Sequence, residues 1–184
     1  MTFRCGDVAE FTRDLNTGSI DLAYVVNPSE QPGRPVFEWH EPMYWTKSPK
    51  LALAPNEPVP LVGWPGTLSE RLATKLLSDA QMTYNIVFTG ADHASRKAAV
   101  AAGLGLMLMM SRAMTADVVS ANETFLPPAP IVKTGIYARE GLNLRRITPL
   151  VQILEGLLRP PIAPSPAIQA EQPAIEKPAR KRRA

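Results

Sequence analysis

The sequence predicts an α/β fold with a parallel sheet, and three observations predict it. Residues 97–110 read as an alanine-rich helix, a Gly103-Leu104-Gly105 stop, and an apolar run through Met107-Leu108-Met109-Met110 that is too short for another helix. An apolar run after a glycine break is the pattern of a strand covered on both faces, as in the parallel sheets of α/β domains. A strand, a helix and a strand also succeed one another within residues 2–26, and the same order recurs over residues 59–110. Two strands joined through a helix run parallel.

Each element has a local reason. Thr2–Cys5 is a short strand candidate. Asp7 stands where an N-cap would, Val8, Phe11 and Leu15 share a helical face, and Gly18 falls where a helix ends in a left-handed residue. Ile20–Val26 is the next strand, ended by Asn27-Pro28-Ser29. Residues 28–35 hold three prolines and one glycine and form a loop. Pro35–Trp45 is extended and aromatic, and residues 49–60 form a second proline-rich loop. Leu61–Trp64 is a strand, after which Thr67-Leu68-Ser69-Glu70 has the capping-box spacing, with Thr67 as N-cap and Glu70 at N3. Leu68, Leu72, Leu76 and Ala80 would line one face of that helix.

Thr83–Phe88 is a further strand, and Thr89-Gly90-Ala91-Asp92 leads into the alanine-rich helix, with Ala94, Ala98 and Ala101 expected toward the sheet. Ser111–Ala121 is weakly helical, Glu123–Pro130 is a proline-broken connection, and Ile131–Tyr137 alternates like a strand. Ile147, Leu150, Val151, Leu154, Leu157 and Leu158 outline an amphipathic helix whose first turn is expected to hold Pro149, where the missing N–H is not needed. Residues 159–184 are Pro, Ala, Gln, Glu and Lys without periodicity. Such a segment buries too little surface to offset its ordering entropy, so a disordered, basic tail is expected.

Charge sharpens this division. The formal net charge is +3, but five of the 20 basic residues and two of the 17 acidic ones lie after residue 159, which leaves 15 of each in residues 1–159. The body is neutral, and the excess sits in the tail. Arg180-Lys181-Arg182-Arg183 would bind phosphates weakly and in a salt-dependent way, and a solubilising tail with no partner is the simpler reading. One cysteine, Cys5, excludes an intramolecular disulfide and a cysteine-based zinc site. No apolar leader core stands at the N-terminus and no run approaches the roughly 18 apolar residues of a membrane span, so a soluble cytoplasmic chain is expected.

The residues offer no catalytic centre. His40 is flanked by Glu38 and Glu41, but two ligands on alternate strand positions do not fix a tetrahedral metal site, and no metal or cofactor is expected. Nucleophile elbow, phosphate loop and dinucleotide fingerprint are all absent from the sequence; Gly103-Leu104-Gly105 closes a helix, whereas the fingerprint opens one. A ligand site is still legible. In open α/β sheets ligands bind beyond the carboxyl ends of strands, where helices begin with unpaired N–H groups. Three such corners place Asn27, then Trp64 and Thr67, then Thr89 and His93 as ligand-binding candidates. A plain N-cap is the alternative for Thr67, and turn formation is the alternative for Asn27, Thr89 and His93.

Leu15-Asn16-Thr17-Gly18-Ser19-Ile20-Asp21-Leu22-Ala23, Pro60-Leu61-Val62, Arg71 and Ala99-Val100-Ala101-Ala102-Gly103-Leu104-Gly105-Leu106 occur here in order. This set resembles the effector-binding domain of LysR-type transcriptional regulators over about residues 2–158. The last motif is the most specific. The resemblance implies a type 2 periplasmic-binding-protein-like fold, with two α/β subdomains, two crossover segments and a small-molecule effector in the cleft between them. Mapped onto this chain, subdomain one would comprise residues 1–42 and 131–158, subdomain two residues 46–112, and the crossovers residues 41–45 and 113–130. It also implies a homo-oligomer. Threonine, asparagine and tryptophan at the corners would suit an effector that is a carboxylate or aromatic.

The chain departs from the family at its start. Members begin with a winged helix-turn-helix, which this sequence does not contain, so DNA would be reached only through a domain not present here. The chain opens at what matches the domain's second strand, so a truncated gene or a misplaced start codon is expected. Loss of the first strand would leave Thr2–Cys5 and Ile20–Val26 unpaired along facing edges, an aggregation hazard, and would remove a helix N-terminus that supplies a serine or threonine to the effector. The competing functions are a solute-binding protein of the same fold, disfavoured by the missing leader, and an enzyme on that fold, disfavoured by the missing catalytic groups.

Overall fold

The structure is a computed structural model, and it describes residues 2–6, 8–28 and 32–158. The expected tail and the Asp7 cap lie outside these residues. Helix α1 (Val8–Thr17) packs Val8, Phe11 and Leu15, with Ile20 beyond it, against Ala23, Val25 and Tyr137. Its end is set by Gly18, whose φ of +76° suits the left-handed position after a helix, with Gly18 N–H donating to Leu15 O at 3.1 Å.

Thr2–Cys5 is not a strand. Instead Arg4 reaches over α1 to Asp14 at 3.1 Å and to Glu10, with its guanidinium 5.8 Å from the Phe11 ring. A strand needs a neighbour to take its N–H and C=O groups, and the strand β1 (Leu22–Val26), expected to stand unpaired opposite this segment, instead pairs with β7 (Ile131–Ala138), antiparallel. The first expected parallel unit is therefore not formed.

The long strand β2 (Arg34–Lys47) organises the molecule. From Trp39 to Trp45 its buried residues alternate, Trp39, Glu41, Met43 and Trp45, as a strand with one covered face requires, and Thr46 beyond them is buried as well. Through Pro42 it pairs antiparallel with β7, and from Met43 onward with β5 (Met107–Met110), then with the short β6 (Val119–Ser120). The sheet order is β1-β7-β2-β5, with β6 also on β2.

Strand β3 (Val59–Gly63), helix α2 (Leu68–Asp79) and strand β4 (Tyr84–Thr89) form a parallel unit, and helix α3 (His93–Ala101) returns the chain toward β5. Leu106 N–H donates to Pro60 O at 2.8 Å and Val62 N–H to Leu106 O at 2.8 Å, a parallel bridge on the other flank of β3. Here the glycine pair acquires a reason. Gly103 has φ +84° and closes α3, whereas a Cβ on Gly105 would lie 2.6 Å from Pro60 O, so the bridge requires its absence.

Several sequence expectations are corrected. Strand β5 is buried as expected, but its ladder runs antiparallel to β2 and is parallel only at the Leu106 bridge. The buried residues of α3 are Arg96, Ala99 and Val100, one position round from Ala94, Ala98 and Ala101. Those of α2 are Ala73 and Leu77, with Leu72 and Leu76 flanking and Ala80 exposed. In place of a helix, residues 111–121 form a 3-10 turn (Ser111–Ala113) and β6. Helix α4 (Leu144–Leu158) begins a turn early, which puts Pro149 inside it, and it buries Val151 while leaving Leu157 75% exposed.

Candidate functional site

Because β3 and β4 are parallel neighbours, with Gly63 opposite Thr89, their carboxyl ends lie side by side. Two helix starts meet at that edge, and four of the five candidate residues come with them. Trp64 is 42% exposed just beyond β3. Its carbonyl accepts the Thr67 N–H at 3.1 Å and the Thr67 hydroxyl at 2.9 Å, while the Thr67 oxygen accepts Glu70 N–H at 3.4 Å. Gly66 N–H, in turn, donates to Glu70 Oε2 at 3.4 Å. Thr67 is thus committed to capping α2.

Across from it, Thr89 and His93 are exposed. Asp92 caps α3 by accepting Ser95 N–H at 2.7 Å, and that hydrogen bond holds its carboxyl below the usual carboxylate range. Partial desolvation, followed by the charges of Arg96 and Lys97, holds the His93 imidazole below its ordinary value, against an opposing pull from Asp92. At neutral pH His93 therefore offers one donor and one acceptor. Arg96, which the sequence reading passed over, fixes the corner: its Nη1 donates to Gly90 O at 2.6 Å and Ala91 O at 3.0 Å. Its signal was hidden because an arginine buried on an alanine face looks like an exposed one.

Asn27 is not at this edge. It is exposed at the end of β1, in the other sheet, with φ +49° and its N–H on Lys133 O at 2.6 Å. The fifth candidate thus lies at a different sheet from the other four.

A second polar cluster was missed by sequence reasoning. Alternation on β2 puts Trp39 and Glu41 on one face, and Tyr24 from β1, Thr134 from β7 and Arg112 from the 3-10 turn join them. Only the 39/41 alternation was visible in the sequence; the partners come from three other segments. Burial pushes the Glu41 carboxyl up, opposed by the Arg112 charge and the nearby Trp39 indole. The opposite face of β2 holds Glu38, His40 and, from β7, Lys133. Glu38 accepts Lys133 Nζ at 2.5 Å and the Tyr137 hydroxyl at 2.7 Å. Its carboxyl is held low, by Lys133 above all, and the Tyr137 phenol is pushed up, by burial first. Among the described residues no group of three His, Cys, Asp or Glu side chains could hold a metal, and no helix is long and apolar enough to cross a membrane.

An open depression of about 440 Å³ lies elsewhere, at the end of β2, lined by Lys47, Pro49, Val119, Ser120, Asn122 and Glu123.

The two α/β units joined by a shared strand define a periplasmic-binding-protein-like regulatory domain. Residues 1–156 match the family described as LysR substrate binding domain, and the chain belongs to that family. It is the effector-sensing domain of a LysR-type regulator. Solved structures agree on the fold. The bromide-bound regulatory domain of HypT from Salmonella typhimurium is 13% identical, with a TM-score of 0.64, over 83% of this chain and 80% of that one. DarR from Vibrio fischeri in complex with DNA is 14% identical, with a TM-score of 0.62, over 82% of this chain. This chain spans 55% of the DarR chain. The reduced form of OxyR is 21% identical, with a TM-score of 0.52, over 82% of this chain and 77% of that one. No curated protein matches the sequence.

Proposed function

We propose that this domain binds a small carboxylate or aromatic effector between two lobes and passes the event on as a change in their relative angle. Lobe one would comprise residues 1–42 and 131–158 and lobe two residues 46–112, joined by crossovers at 41–45 and 113–130. The observation that carries the reading is the β3–β4 edge, where adjacent parallel strands present Trp64, Thr67, Thr89 and His93 beside the starts of α2 and α3. Helix starts favour anions, the Trp64 face offers a stacking surface, and a neutral His93 can donate to a carboxylate. Asn27 would close the site from lobe one.

The domain acts without catalysis, in the cytoplasm, as a homo-oligomer, and reaches DNA through a helix-turn-helix outside this chain. Closure of two lobes about two short connections is a rigid-body change that an attached domain can sense. Titration with benzoate, with acetate and benzyl alcohol as controls, tests the reading by calorimetry. Benzoate should bind more tightly than either control, and Trp64→Ala and His93→Ala should each weaken it about tenfold, the scale of one lost contact. Equal response to all three compounds, or binding unchanged in both variants, would refute the site.

A further inference from the structure

A buried carboxylate on the first expected crossover is paired with an arginine just before the second. Glu41 lies on β2 at the point where its pairing passes from β7 to β5, and Arg112 lies in the 3-10 turn directly after β5. Glu41 is fully buried, with Arg112 Nη2 at 3.3 Å from its Oε2. The same guanidinium donates through Nη1 to the Leu158 carbonyl at the end of α4, at 2.6 Å, and through Nη2 to the Tyr24 hydroxyl. It also stands 5.1 Å from the Tyr24 ring centroid, and Tyr24 stacks on Trp39 at 6.1 Å. One side chain from the connection after β5 thereby touches β1, β2 and α4.

This pair is weakly held for its depth. Neither Glu41 oxygen accepts a hydrogen bond of ordinary geometry, and the buried Trp39 indole N–H donates none. Charge attraction to Arg112 is the carboxylate's main compensation for lost water, and a buried ion compensated in this way is close to its limit. The pair also joins the first of the two segments that link the lobes in the reading above to the residue just before the second, where a rotation of the lobes would be felt.

We propose that Glu41 and Arg112 form a latch across the crossovers, and that a proton taken up by Glu41 opens it and frees the lobes to change angle. This rests on the two-lobed sensor reading above. The groups that face Glu41 are Arg112 from the 3-10 turn and, through Arg112, the Tyr24 phenol from β1. Trp39 and Thr134 contribute neutral dipoles, and α4 contributes the Leu158 carbonyl. Glu38, His40 and Lys133 lie on the other side of the sheet. Burial raises the Glu41 carboxyl above its ordinary value against the opposing pull of Arg112. Parted from Arg112 but still out of water, the carboxyl would hold a proton more firmly than in the latched state, so proton uptake favours opening, and does so above the ordinary glutamate value of about 4.3.

Spin labels on Arg13→Cys in α1 and Ser78→Cys in α2, in a Cys5→Ser background of the full chain, report the distance between lobes by pulsed electron resonance. A single population at pH 7.5 should give way to a second one as pH falls through a midpoint above about 4.3. Glu41→Gln, a neutral side chain of the same shape, should show the second population at every pH, and Arg112→Gln should show it at pH 7.5. A distance that ignores pH, or either folded variant reproducing the wild-type distribution at pH 7.5, overturns the latch. The measurement needs no effector. Failure to bind benzoate refutes the ligand site and leaves the latch standing, while a pH-invariant distance refutes the latch whatever benzoate does.

Discussion

The β3–β4 edge and the Tyr24–Arg112 cluster use polar residues in opposite ways. At the edge, Thr67, Asp92 and Arg96 spend their hydrogen bonds on the backbone of their own corners, and Trp64, Thr89 and His93 are left facing outward. In the cluster the polar groups face inward and one another, and Glu41 and Trp39 are left short of partners. The first arrangement builds a hydrogen-bonded rim with exposed contact groups, suited to a ligand. The second stores an under-compensated charge where the chain passes between halves, suited to a change of state. A sensor needs both, in different places.

The largest test of this contrast asks whether the two halves are mechanically one. Leu106 is fully buried at the bridge between β3 and β5, and Leu15 is 1% exposed between α1 and β1. Leu106→Ala and Leu15→Ala should each lower unfolding stability by about 2–5 kcal/mol, the range for a buried leucine. Since β2 belongs to both halves, urea denaturation should remain a single transition in each variant. Two separated transitions would show that the halves fold independently and that β2 couples them poorly.

Glu38 and Glu41 give a sharper and smaller comparison, because they lie on opposite faces of one strand. The Glu38 carboxyl is held low, by Lys133 first, so its stabilisation is present above its unfolded value and is lost as pH falls through its lowered folded value. The Glu41 carboxyl is raised by burial, so its ionised form carries a cost that is present at neutral pH and relieved as pH falls through the raised value. Glu38→Gln should therefore melt below wild type at pH 7 and converge with it in acid. Glu41→Gln should fare best relative to wild type at pH 7 and lose ground as pH falls. Melting curves between pH 3.5 and 8 check both signs, and parallel profiles for the two variants would show that the faces of β2 do not differ electrostatically.

The same two regions explain what the sequence revealed. Local signals were enough for the β3–α2–β4–α3 unit: capping box, glycine stop and apolar runs lie within a few residues of what they specify. The partner of a strand is not a local property. Nothing in Ile131–Tyr137 says that it will lie between β1 and β2, or that β5 will run antiparallel to β2, and the expected parallel unit at the N-terminus fell for that reason. Helix faces were placed one residue off in α2 and α3, because alanine-rich and leucine-rich helices offer two nearly equal apolar stripes. At the site, the corner residues were legible from turn chemistry. Arg96 and Arg112 were not, since an arginine's role depends on which carbonyls or carboxylates the fold brings within its reach.

The finest comparison lies within the edge itself. Thr67 and Thr89 lie at the same edge, but Thr67 is the N-cap of α2, whereas Thr89 is the last residue of β4, three residues before the Asp92 cap of α3. The Thr89 hydroxyl is exposed and has no hydrogen-bond partner among the described residues. Thr67→Ala should cost about 1 kcal/mol of stability, as the loss of a cap does, whereas Thr89→Ala should change stability by less than about 0.5 kcal/mol. In binding the order should reverse. Thr89→Ala removes a hydroxyl free to contact the ligand, so it should weaken benzoate at constant stability. Thr67→Ala should weaken it only as far as the start of α2 frays. If Thr89→Ala leaves benzoate affinity unchanged while Thr67→Ala lowers it, the anion is held by the capped start of α2 and the ligand lies nearer Trp64 than His93.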